Sequence, residues 1–462
     1  MPDARDAQVI SALIAELPEG TVITDLDSLQ AYRRDRAEDP DAGVPLAVVR
    51  ATCTEDVQVV VRIAAREGVG IVPRGAGSGL SGGSSAVDGA IVVSLERMRE
   101  IVVDPSLQMA VVQPGAFNAE VKAAASEHGL WYPPDPSSQE FCSIGGNIAT
   151  NAGGLCCVKY GVTTDYVLGL TVVLADGRAV KLGGPRLKDV AGLSLTKLFV
   201  GSEGTLGIVT EAVLRLVPAQ RTPTTLVAVF PTVDGAIRSV VDVKAAMRPS
   251  MLEFMDRATI NAVEDMMRMD LDRTAAAMLI VQSDEPSEVA TAQIEEIERI
   301  CEQHGATEVY ATSDPDEGEA LIEARRQAIP AVERRGALLL EDVGVPLPRL
   351  GDLIDGMRAI AERRGVEIAV VAHAGDGNTH PLIVLDPTDA AQRERADAAF
   401  GEVMDLAIGL GGTITGEHGV GRLKQPWLAD YLGGDAMELN LRIKRALDPQ
   451  GILNPGAIFA DS

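Results

Sequence analysis

The sequence predicts an α+β protein with two main domains, and three observations lead to this prediction. The chain has 462 residues, which is more than one hydrophobic core usually supports. Strand and helix patterns restart at about residue 221 in a regular strand–helix rhythm. Three loops rich in small residues lie between strand patterns in the first part of the chain. We therefore expect a first domain that holds an elongated ligand and a second domain with a ferredoxin-like antiparallel sheet.

The elements of the first domain follow from apolar periodicity and turn residues. TEDVQVVVRIAAREG, residues 54 to 68, predicts a helix, because its apolar residues form one stripe and Gly68 ends it. Short strands are expected in GIVPRG and GAIVVSL, a hairpin in IVVDPSLQMAVVQPG and a helix in FNAEVKAAASEHG. LTVVLADGRAVKLG predicts a further hairpin, because Asp176 and Gly177 supply the positive φ angles of a tight turn. Strand patterns continue through GIVTEAVLRLVP.

The main boundary between the domains is placed near Pro218 to Pro223, where the pattern of elements restarts. TTLVAVF predicts a strand, DGAIRSVVDVKAAM a helix, AAMLIVQS a strand and PSEVATAQIEEIERICEQHG a long helix. In VEIAVVAHAGDGNTHPLIVL, one strand enters and another leaves the segment HAGDGNTH. This order indicates a sheet covered by helices.

Composition limits the classes of partner. The formal net charge is −26, and no basic run is present, so nucleic acid is not expected as a partner. The five cysteines form no CxxC motif or disulfide-like framework, which favours a reducing compartment. The N-terminal segment lacks the apolar core of a signal peptide, and no run of eighteen apolar residues predicts a membrane span. We therefore expect a cytoplasmic protein, with peripheral association with a membrane left open.

The three small-residue loops are candidates for holding a cofactor. PRGAGSGLSGG (73–83) contains GxGxxG, but no helix pattern follows it as a Rossmann fold requires, and no GK[ST] ends it as in a P-loop. Alone, this loop is equally compatible with a surface linker. SIGGNIATNAGGLCCVKYG (143–161) and LFVGSEGTLGIVTE (198–211) add two similar segments. Together the three loops favour a dinucleotide cofactor, because glycine lets the backbone approach phosphate groups.

Two of the five histidines, His373 and His380, flank a Gly-Asp-Gly turn. Their spacing does not suit one helix face, but it suits two strand ends whose imidazoles face the same side. A histidine in such a turn is often bound to the backbone. With Glu417, however, the two imidazoles would form a ligand set for Zn²⁺, Mn²⁺ or Fe²⁺. The spacing alone leaves both interpretations open.

These segments also carry a resemblance to a known family. PRGAGSGLSGG, YPPDPSS, IGGNIATNAGG, KYGVTTDYVLGL, KLFVGSEGTLGIVTE, HAGDGNTH, GGTITGEHGVGRLK and DPQGILNPG resemble, in unbroken order, the FAD-linked D-2-hydroxy acid dehydrogenases. That group includes the glycolate oxidase flavoprotein subunit and D-lactate dehydrogenases. The resemblance implies an FAD-binding domain of the vanillyl-alcohol oxidase type, built from two subdomains, and a cap domain for the substrate. We accordingly expect four parts: an N-terminal segment (1–40), the FAD-binding domain (41–219), the cap domain (220–438), and a segment returning to the FAD domain (439–462).

The family pattern also implies which residues surround FAD. The pyrophosphate would lie against the first loop, the isoalloxazine and ribityl groups against the second, and the adenosine side against the third. The residues concerned are Arg74, Gly75, Ala76, Gly77, Ser78, Gly79, Ser81, Gly82, Pro134, Asp135, Ser138, Gly145, Gly146, Thr150, Gly153, Glu203, Gly207 and Val209. Some relatives attach FAD to a histidine near the first loop. No histidine occurs between residues 1 and 127, so non-covalent binding is expected.

The resemblance assigns the metal ligands as His373, His380 and Glu417, with Zn²⁺ the first candidate and Mn²⁺ or Fe²⁺ the alternatives. It assigns His418 as the catalytic base and Arg325, counted back from EDVGVP, as the residue that binds the substrate carboxylate. Paired arginines on a helix are more often a solvated face, and we expect Arg326 to point outward.

The function that follows is oxidation of a D-2-hydroxy acid to the 2-oxo acid, with hydride transfer to N5 of FAD. Relatives that accept dicarboxylates carry Lys and Asn where this chain has Leu340 and Leu382, which favours glycolate, D-lactate or a similar acid. Two alternatives are a transferase of the alkylglycerone-phosphate synthase type and a non-catalytic electron-transfer subunit. The electron acceptor is left open among a quinone, an electron-transfer flavoprotein, a cytochrome and an iron–sulfur subunit. A homodimer is compatible with the sequence.

Overall fold

The structure, a computed structural model, describes residues 4–37 and 39–460. The chain divides into two compact units. Unit 1 comprises the described residues of Met1–Gly153, Val162–Ala219 and Glu417–Ser462, and unit 2 comprises Gly154–Gly161 and Gln220–Gly416.

Strands β1 to β11 lie in unit 1 and strands β12 to β19 in unit 2. In chain order they are β1 (Val22–Ile23), β2 (Ala47–Arg50), β3 (Ile71–Arg74), β4 (Ile91–Ser94), β5 (Ile101–Asp104), β6 (Met109–Val112), β7 (Leu130–Trp131), β8 (Val167–Val173), β9 (Ala179–Gly183), β10 (Ile208–Arg215), β11 (Val217–Pro218), β12 (Thr224–Phe230), β13 (Met251–Asp256), β14 (Ala277–Ser283), β15 (Glu308–Thr312), β16 (Ala337–Leu340), β17 (Val343–Gly344), β18 (Glu367–His373) and β19 (Asn378–Leu385).

The helices range from single turns to five turns. They are α1 (Ala4–Glu16), α2 (Leu26–Gln30), α3 (Thr54–Glu67), α4 (Asn118–Ser126), α5 (Ile144–Thr150), α6 (Cys157–Tyr160), α7 (Leu195–Phe199), α8 (Val233–Ala246), α9 (Arg257–Met267), α10 (Ser287–Gln303), α11 (Pro315–Arg326), α12 (Ala328–Glu333), α13 (Leu350–Arg364), α14 (Ala390–Gly409), α15 (Gln425–Leu432) and α16 (Gly434–Leu447). Among the described residues, none of these helices combines the length and the apolar character needed to span a bilayer.

Unit 1 contains two larger sheets, which form two subdomains. The first has the order β1-β2-β4-β3, in which β4 pairs with β2 and β3 in parallel, and α3 packs its predicted valine stripe into the core beside it. The second is antiparallel, with the order β5-β6-β10-β8-β9. Both predicted hairpins are present in it, and Gly177 has φ +80° in the turn between β8 and β9.

Unit 2 is built on one antiparallel sheet of eight strands, β15-β12-β14-β13-β18-β19-β16, with β17 paired to β19. Its apolar cluster combines β12, β13, β14, β18 and β19 with residues of α9, α11 and α12. The sheet confirms the expected α+β class with an antiparallel second domain. The sequence prediction omitted β13 and α9, which lie between the predicted helix and the next predicted strand.

The structure divides the chain differently from the sequence prediction near its C-terminal end. The return to unit 1 occurs at Glu417 rather than at residue 439. The reason is that the main chain of residues 420–423 is bound by unit 1, where Glu203 and Ser81 accept hydrogen bonds from it. The helix that carries Arg325 ends at Arg326, and Pro330 lies within the first turn of α12. Proline is tolerated there because backbone N–H groups of a first turn have no intrahelical acceptor.

Candidate active site

The hairpin of β18 and β19 places His373 and His380 on one face of the unit 2 sheet. Val371 lies opposite His380 in the register, and side chains two residues apart share a face, so His373 lies beside His380. The imidazole centroids are 5.1 Å apart with the ring planes at 85°. Both side chains are buried, with 4% and 3% of their surface exposed. The predicted convergence of the two imidazoles is therefore present.

The turn between the two strands requires glycine. Gly377 has φ +85°, and a Cβ there would lie 2.3 Å from the backbone oxygen of Val345. A Cβ on Gly375 would lie 2.5 Å from Val158. The tight turn is thus a condition for bringing the ends of β18 and β19 together.

A buried carboxylate lies behind each imidazole. Nδ1 of His373 is 2.9 Å from Oε1 of Glu253, and Nδ1 of His380 is 3.9 Å from Oδ1 of Asp342. The contact with Glu253 fixes the His373 tautomer with its proton on Nδ1, so Nε2 is the nitrogen suited to a cation. A ring nitrogen of each histidine lies within 4.8 Å of one on the other. This spacing allows both to bind one ion.

Arg325 joins the same cluster from α11. Its side chain is 2% exposed, and Nη2 lies 2.8 Å from Oε2 of Glu253. Nε of Arg325 has no hydrogen-bond partner within residues 4–37 and 39–460. A buried donor in this position would be satisfied by a carboxylate oxygen. Arg326, by contrast, pairs with Glu319 and Glu323 on a more exposed face, as expected from the sequence.

The charge of the unit 2 cluster favours a bound cation. Glu253 and Asp342 are each at most 1% exposed and lie beside the two imidazoles. Buried carboxylate charge is stabilised when a cation is bound close to it. Imidazole and carboxylate groups are the donors that Zn²⁺, Mn²⁺ and Fe²⁺ prefer. The residues present therefore fit a divalent metal ion.

Glu417 and His418 follow directly after the last residue of unit 2. Asp342 holds that end of the chain, because its Oδ2 accepts from the Gly416 N–H at 2.9 Å and from the Thr415 hydroxyl at 2.6 Å. A Cβ on Gly416 would lie 2.3 Å from Oδ1 of Asn378, so only glycine fits. Glu417 is the next residue after Gly416, and consecutive Cα atoms are about 3.8 Å apart.

Within unit 1, two side chains hold the turn that carries His418. Ser81 donates its hydroxyl to the His418 carbonyl at 3.0 Å. Glu203 accepts the N–H groups of Val420 and Gly421 at 2.7 and 2.8 Å. Glu203 itself has φ +49°, an uncommon conformation for a residue with a side chain. The sequence resemblance placed Glu203 beside adenosine, which stays a prediction, whereas its carboxylate is bound to this turn.

Burial raises the pKa of the Glu203 carboxyl group from 4.5 to about 7, although the two N–H groups oppose the shift. Between these values the folded state holds a proton that the unfolded state releases, so stability falls as pH rises. Between pH 5.5 and pH 7.5 the wild type should lose about 2 kcal/mol of unfolding free energy that the Glu203→Gln variant keeps, because glutamine does not titrate.

Denaturant unfolding followed by tryptophan fluorescence measures this change, because both tryptophans, Trp131 and Trp427, lie in unit 1. Glu100→Gln, at an exposed position of unit 1, is the matched control and should keep the wild-type pH profile. A Glu203→Gln profile parallel to that of wild type would contradict the prediction.

The residues expected around FAD all lie in unit 1. Those of the first loop begin at Arg74, the last residue of β3. Those from Pro134 to Gly153 lie before, within and just after α5. Glu203 and Gly207 precede β10, and Val209 lies in it. Ser143 links two of these segments, because its hydroxyl accepts from the N–H groups of Ala76 and Gly146 at 3.2 and 3.4 Å. A Cβ on Gly75 would lie 2.3 Å from this hydroxyl, so the close approach requires glycine.

The first loop fits a phosphate-bearing ligand. Residues 75–80 stay partly or fully exposed, although the strand before them is largely buried, so their backbone is accessible. Arg74 is used internally, since its guanidinium donates to the carbonyls of Arg34 and Ser84 at 2.9 and 3.2 Å. Packing within unit 1 also accounts for glycine at position 207, because a Cβ there would lie 2.5 Å from Val172. Their direct contacts with FAD stay predictions.

Sequence reasoning missed Glu253, Glu341 and Asp342. Glu341 and Asp342 begin the segment EDVGVP that located Arg325, and two adjacent acids ending a strand pattern were a usable indication. Glu253 gave no such indication, since the strand that carries it was not predicted.

Comparisons with known proteins agree with this architecture. Residues 45–183 match the family described as FAD binding domain, and residues 219–458 match FAD linked oxidases, C-terminal domain. Glycolate oxidase subunit GlcD of Bacillus subtilis is 43% identical over 90% of this chain and 89% of its own length. D-lactate dehydrogenase of Archaeoglobus fulgidus is 36% identical over 93% and 95%.

Among solved structures, p-cresol methylhydroxylase with substrate bound has a TM-score of 0.84 at 20% identity, covering 99% of this chain and 97% of that one. At this identity the likeness shows the fold alone, and it confirms the expected vanillyl-alcohol oxidase type. Two matched domains cover most of the sequence, and the loops of unit 1 fit the cofactor that both descriptions name. The chain therefore belongs to the FAD-linked oxidases and is an FAD-dependent oxidoreductase.

Proposed function

We propose that the protein oxidises a small D-2-hydroxy acid, such as glycolate or D-lactate, to the corresponding 2-oxo acid. One observation carries this proposal: in a buried cluster of unit 2, the carboxylate of Glu253 links Arg325 to His373, whose imidazole lies against that of His380. A 2-hydroxy acid needs a group for its hydroxyl and a group for its carboxylate, and this cluster offers both. The names of the relatives, a glycolate oxidase subunit and a D-lactate dehydrogenase, support the substrate class.

Arg325 would bind the substrate carboxylate. Its guanidinium is a planar fork that matches two carboxylate oxygens, and its Nε–H donor is unsatisfied within the described chain. The carboxylate of Glu253 forms an ion pair with Nη2 and so favours one position of the guanidinium. The substrate would thus be oriented before reaction, which lowers the entropic part of the barrier.

His373, His380 and Glu417 would hold the divalent metal, with Zn²⁺ as the first candidate and Mn²⁺ or Fe²⁺ as alternatives. A bound divalent cation lowers the pKa of a hydroxyl that coordinates it. The burial of both histidines and the hydrogen bond to Asp342 from Gly416, the residue before Glu417, support this ligand set.

His418 would accept the hydroxyl proton. An imidazole titrates near neutral pH, so it is an effective base under these conditions. Ser81 holds the main chain of His418, which supports a fixed position for the ring. FAD, bound without a covalent link, supplies the acceptor for the hydride.

A monocarboxylic substrate is supported by Leu340 and Leu382, which stand where relatives that accept dicarboxylates carry Lys and Asn. Leu340 of β16 lies opposite Leu382 of β19 in the register, and Leu382 is fully buried. A second carboxylate placed beside these side chains would be buried without a partner. We therefore expect D-2-hydroxyglutarate to react at least about 10-fold more slowly than D-lactate, equivalent to about 1.4 kcal/mol.

Anaerobic mixing of the FAD-loaded protein with glycolate, D-lactate, L-lactate and D-2-hydroxyglutarate tests the function. We expect glycolate or D-lactate to bleach the flavin absorbance, and we expect EDTA to abolish the reaction and added Zn²⁺ or Mn²⁺ to restore it. L-lactate is the stereochemical control. The proposal fails if no 2-hydroxy acid bleaches the flavin while the metal is present.

The two alternatives from the sequence are less well supported. The close relatives are named for oxidation of hydroxy acids, which disfavours a transferase. A subunit that only relayed electrons would not need the buried histidines, arginine and carboxylates of unit 2. Because one relative is named a subunit, we propose that reoxidation of the flavin involves a partner, with quinone, electron-transfer flavoprotein, cytochrome and iron–sulfur protein as candidate acceptors.

A further inference from the structure

We propose that Glu253 is a positioning residue that couples the metal-binding histidine His373 to the carboxylate-binding arginine Arg325. This inference rests on the proposed function and extends it, because it makes the two halves of substrate recognition depend on one side chain. Glu253 contacts neither the expected metal nor the expected substrate atoms in this role. It acts through the two residues that do.

The position of Glu253 in the sheet is fixed on both sides. β13 lies between β14 and β18, and Glu253 lies opposite Ile280 of β14. On the other side, Phe254 pairs with Ala372 and Met255 with Val371. Continuing this register by one residue places Glu253 opposite His373. Because a central strand has little freedom to shift, the backbone of β13 fixes the Glu253 carboxylate beside the His373 ring.

The two oxygens of Glu253 serve two neighbours. Oε1 and Oε2 lie 2.9 and 3.0 Å from Nδ1 of His373, and Oε2 lies 2.8 Å from Nη2 of Arg325. Glu253 is 1% exposed, so no water competes for these oxygens. Removing the charge from such a buried group leaves its partners unsatisfied. One carboxylate therefore sets the orientation of the imidazole and of the guanidinium at the same time.

The side chain must be a glutamate for geometric reasons. Glutamine has one acceptor oxygen and a donor NH₂ group, so one of the two N–H donors would face another donor. Aspartate is shorter by one methylene group and would not reach both partners from the same backbone position. Loss of the carboxylate should therefore weaken metal binding and carboxylate binding together.

The test compares Glu253→Gln with Glu367→Gln. The control removes the charge of a glutamate on the same sheet, where Glu367 pairs with Arg335 at an exposed position. Zn²⁺ affinity is measured by competition with a chromogenic chelator in the absence of substrate, and KM and kcat for D-lactate are measured by steady-state turnover with an artificial electron-acceptor dye, which reoxidises the flavin. Bound FAD is measured from its absorbance, to show that unit 1 is intact.

For Glu253→Gln we expect Zn²⁺ affinity to fall about 10- to 100-fold, as for loss of a carboxylate behind a metal-binding histidine. We expect KM for D-lactate to rise at least about 10-fold in the same variant when the metal is saturating, since the buried guanidinium loses its ion-pair partner. Glu367→Gln should change neither value. Arg325→Ala should raise KM and leave Zn²⁺ affinity within about 3-fold, because it retains the Glu253–His373 pair.

Coupling is overturned if Glu253→Gln with wild-type FAD content keeps Zn²⁺ affinity, or loses Zn²⁺ affinity while KM at saturating metal is unchanged. If Glu253→Gln does not fold, Glu253→Asp is used in the same measurements of Zn²⁺ affinity and KM. Aspartate keeps the negative charge, but its shorter side chain does not reach both partners. Failure of the proposed function is recognised separately, because it shows in the wild-type protein as an absence of bleaching by every 2-hydroxy acid.

Discussion

Replacement of His418 by glutamine is expected to lower the rate of flavin reduction by D-lactate about 1,000-fold, since a positioned general base typically contributes 10²- to 10⁴-fold. Glutamine is similar in size and can form hydrogen bonds, but it cannot accept the hydroxyl proton. The main-chain contact of residue 418 with Ser81 does not depend on the side chain, so the turn should persist. Stopped-flow measurement of flavin absorbance under anaerobic conditions gives the rate directly.

The loss should appear in kcat, with KM changed by less than about 3-fold, because His418 is assigned to the proton and not to binding. His304→Gln is the matched control, since His304 is a partly exposed histidine that pairs with Asp242 on unit 2. A decrease of less than 10-fold for His418→Gln would show that another group takes the proton.

The histidine hairpin shows how much of the site the sequence contained. His373 and His380 lie close in the chain, and the Gly-Asp-Gly turn between them has local turn chemistry. Strand periodicity then places both on one face, and the structure has them there. The helices α3 and α4 and the two hairpins of unit 1 were predictable for the same reason, because each depends on neighbours in sequence.

The carboxylates behind the histidines could not be predicted in this way. Glu253 is 120 residues from His373, and the contact depends on the order of strands in the sheet. The intervening strand β13 was omitted because its sequence, MLEFMD, is short and lacks strict alternation. A strand buried on both sides gives a continuous apolar run, and a single acid within it does not reveal its partner.

The return of the chain to unit 1 illustrates a different limit. Glu203 and Val420 are 217 residues apart, and the hydrogen bonds involve backbone N–H groups. Backbone donors are the same for every residue, so no sequence pattern marks the acceptor that will bind them. The expected boundary at residue 439 came from the family resemblance, whereas the bonds to Glu203 and Ser81 hold the chain from residue 420 onward.

Replacement of His380 by alanine is expected to lower Zn²⁺ affinity by at least about 1,000-fold, which exceeds the 10- to 100-fold effect of losing a residue behind a ligand. The variant removes one imidazole from a buried cluster in which Asp342 and Glu253 remain. The carboxylates would then be left with less cationic compensation, which also destabilises unit 2.

Activity and metal content should be lost together. Flavin bleaching by D-lactate is expected to fall to background at micromolar Zn²⁺, while FAD content stays at the wild-type level, because His380 belongs to unit 2 and the loops around FAD to unit 1. Thermal unfolding with and without EDTA distinguishes metal loss from misfolding. Chelation should lower the midpoint of the wild-type protein and leave that of the variant unchanged, since a ligand stabilises only the state that binds it. A variant that retains Zn²⁺ and bleaches at the wild-type rate would remove His380 from the ligand set, and a cation balanced by Asp342 and His373 would have to be considered instead.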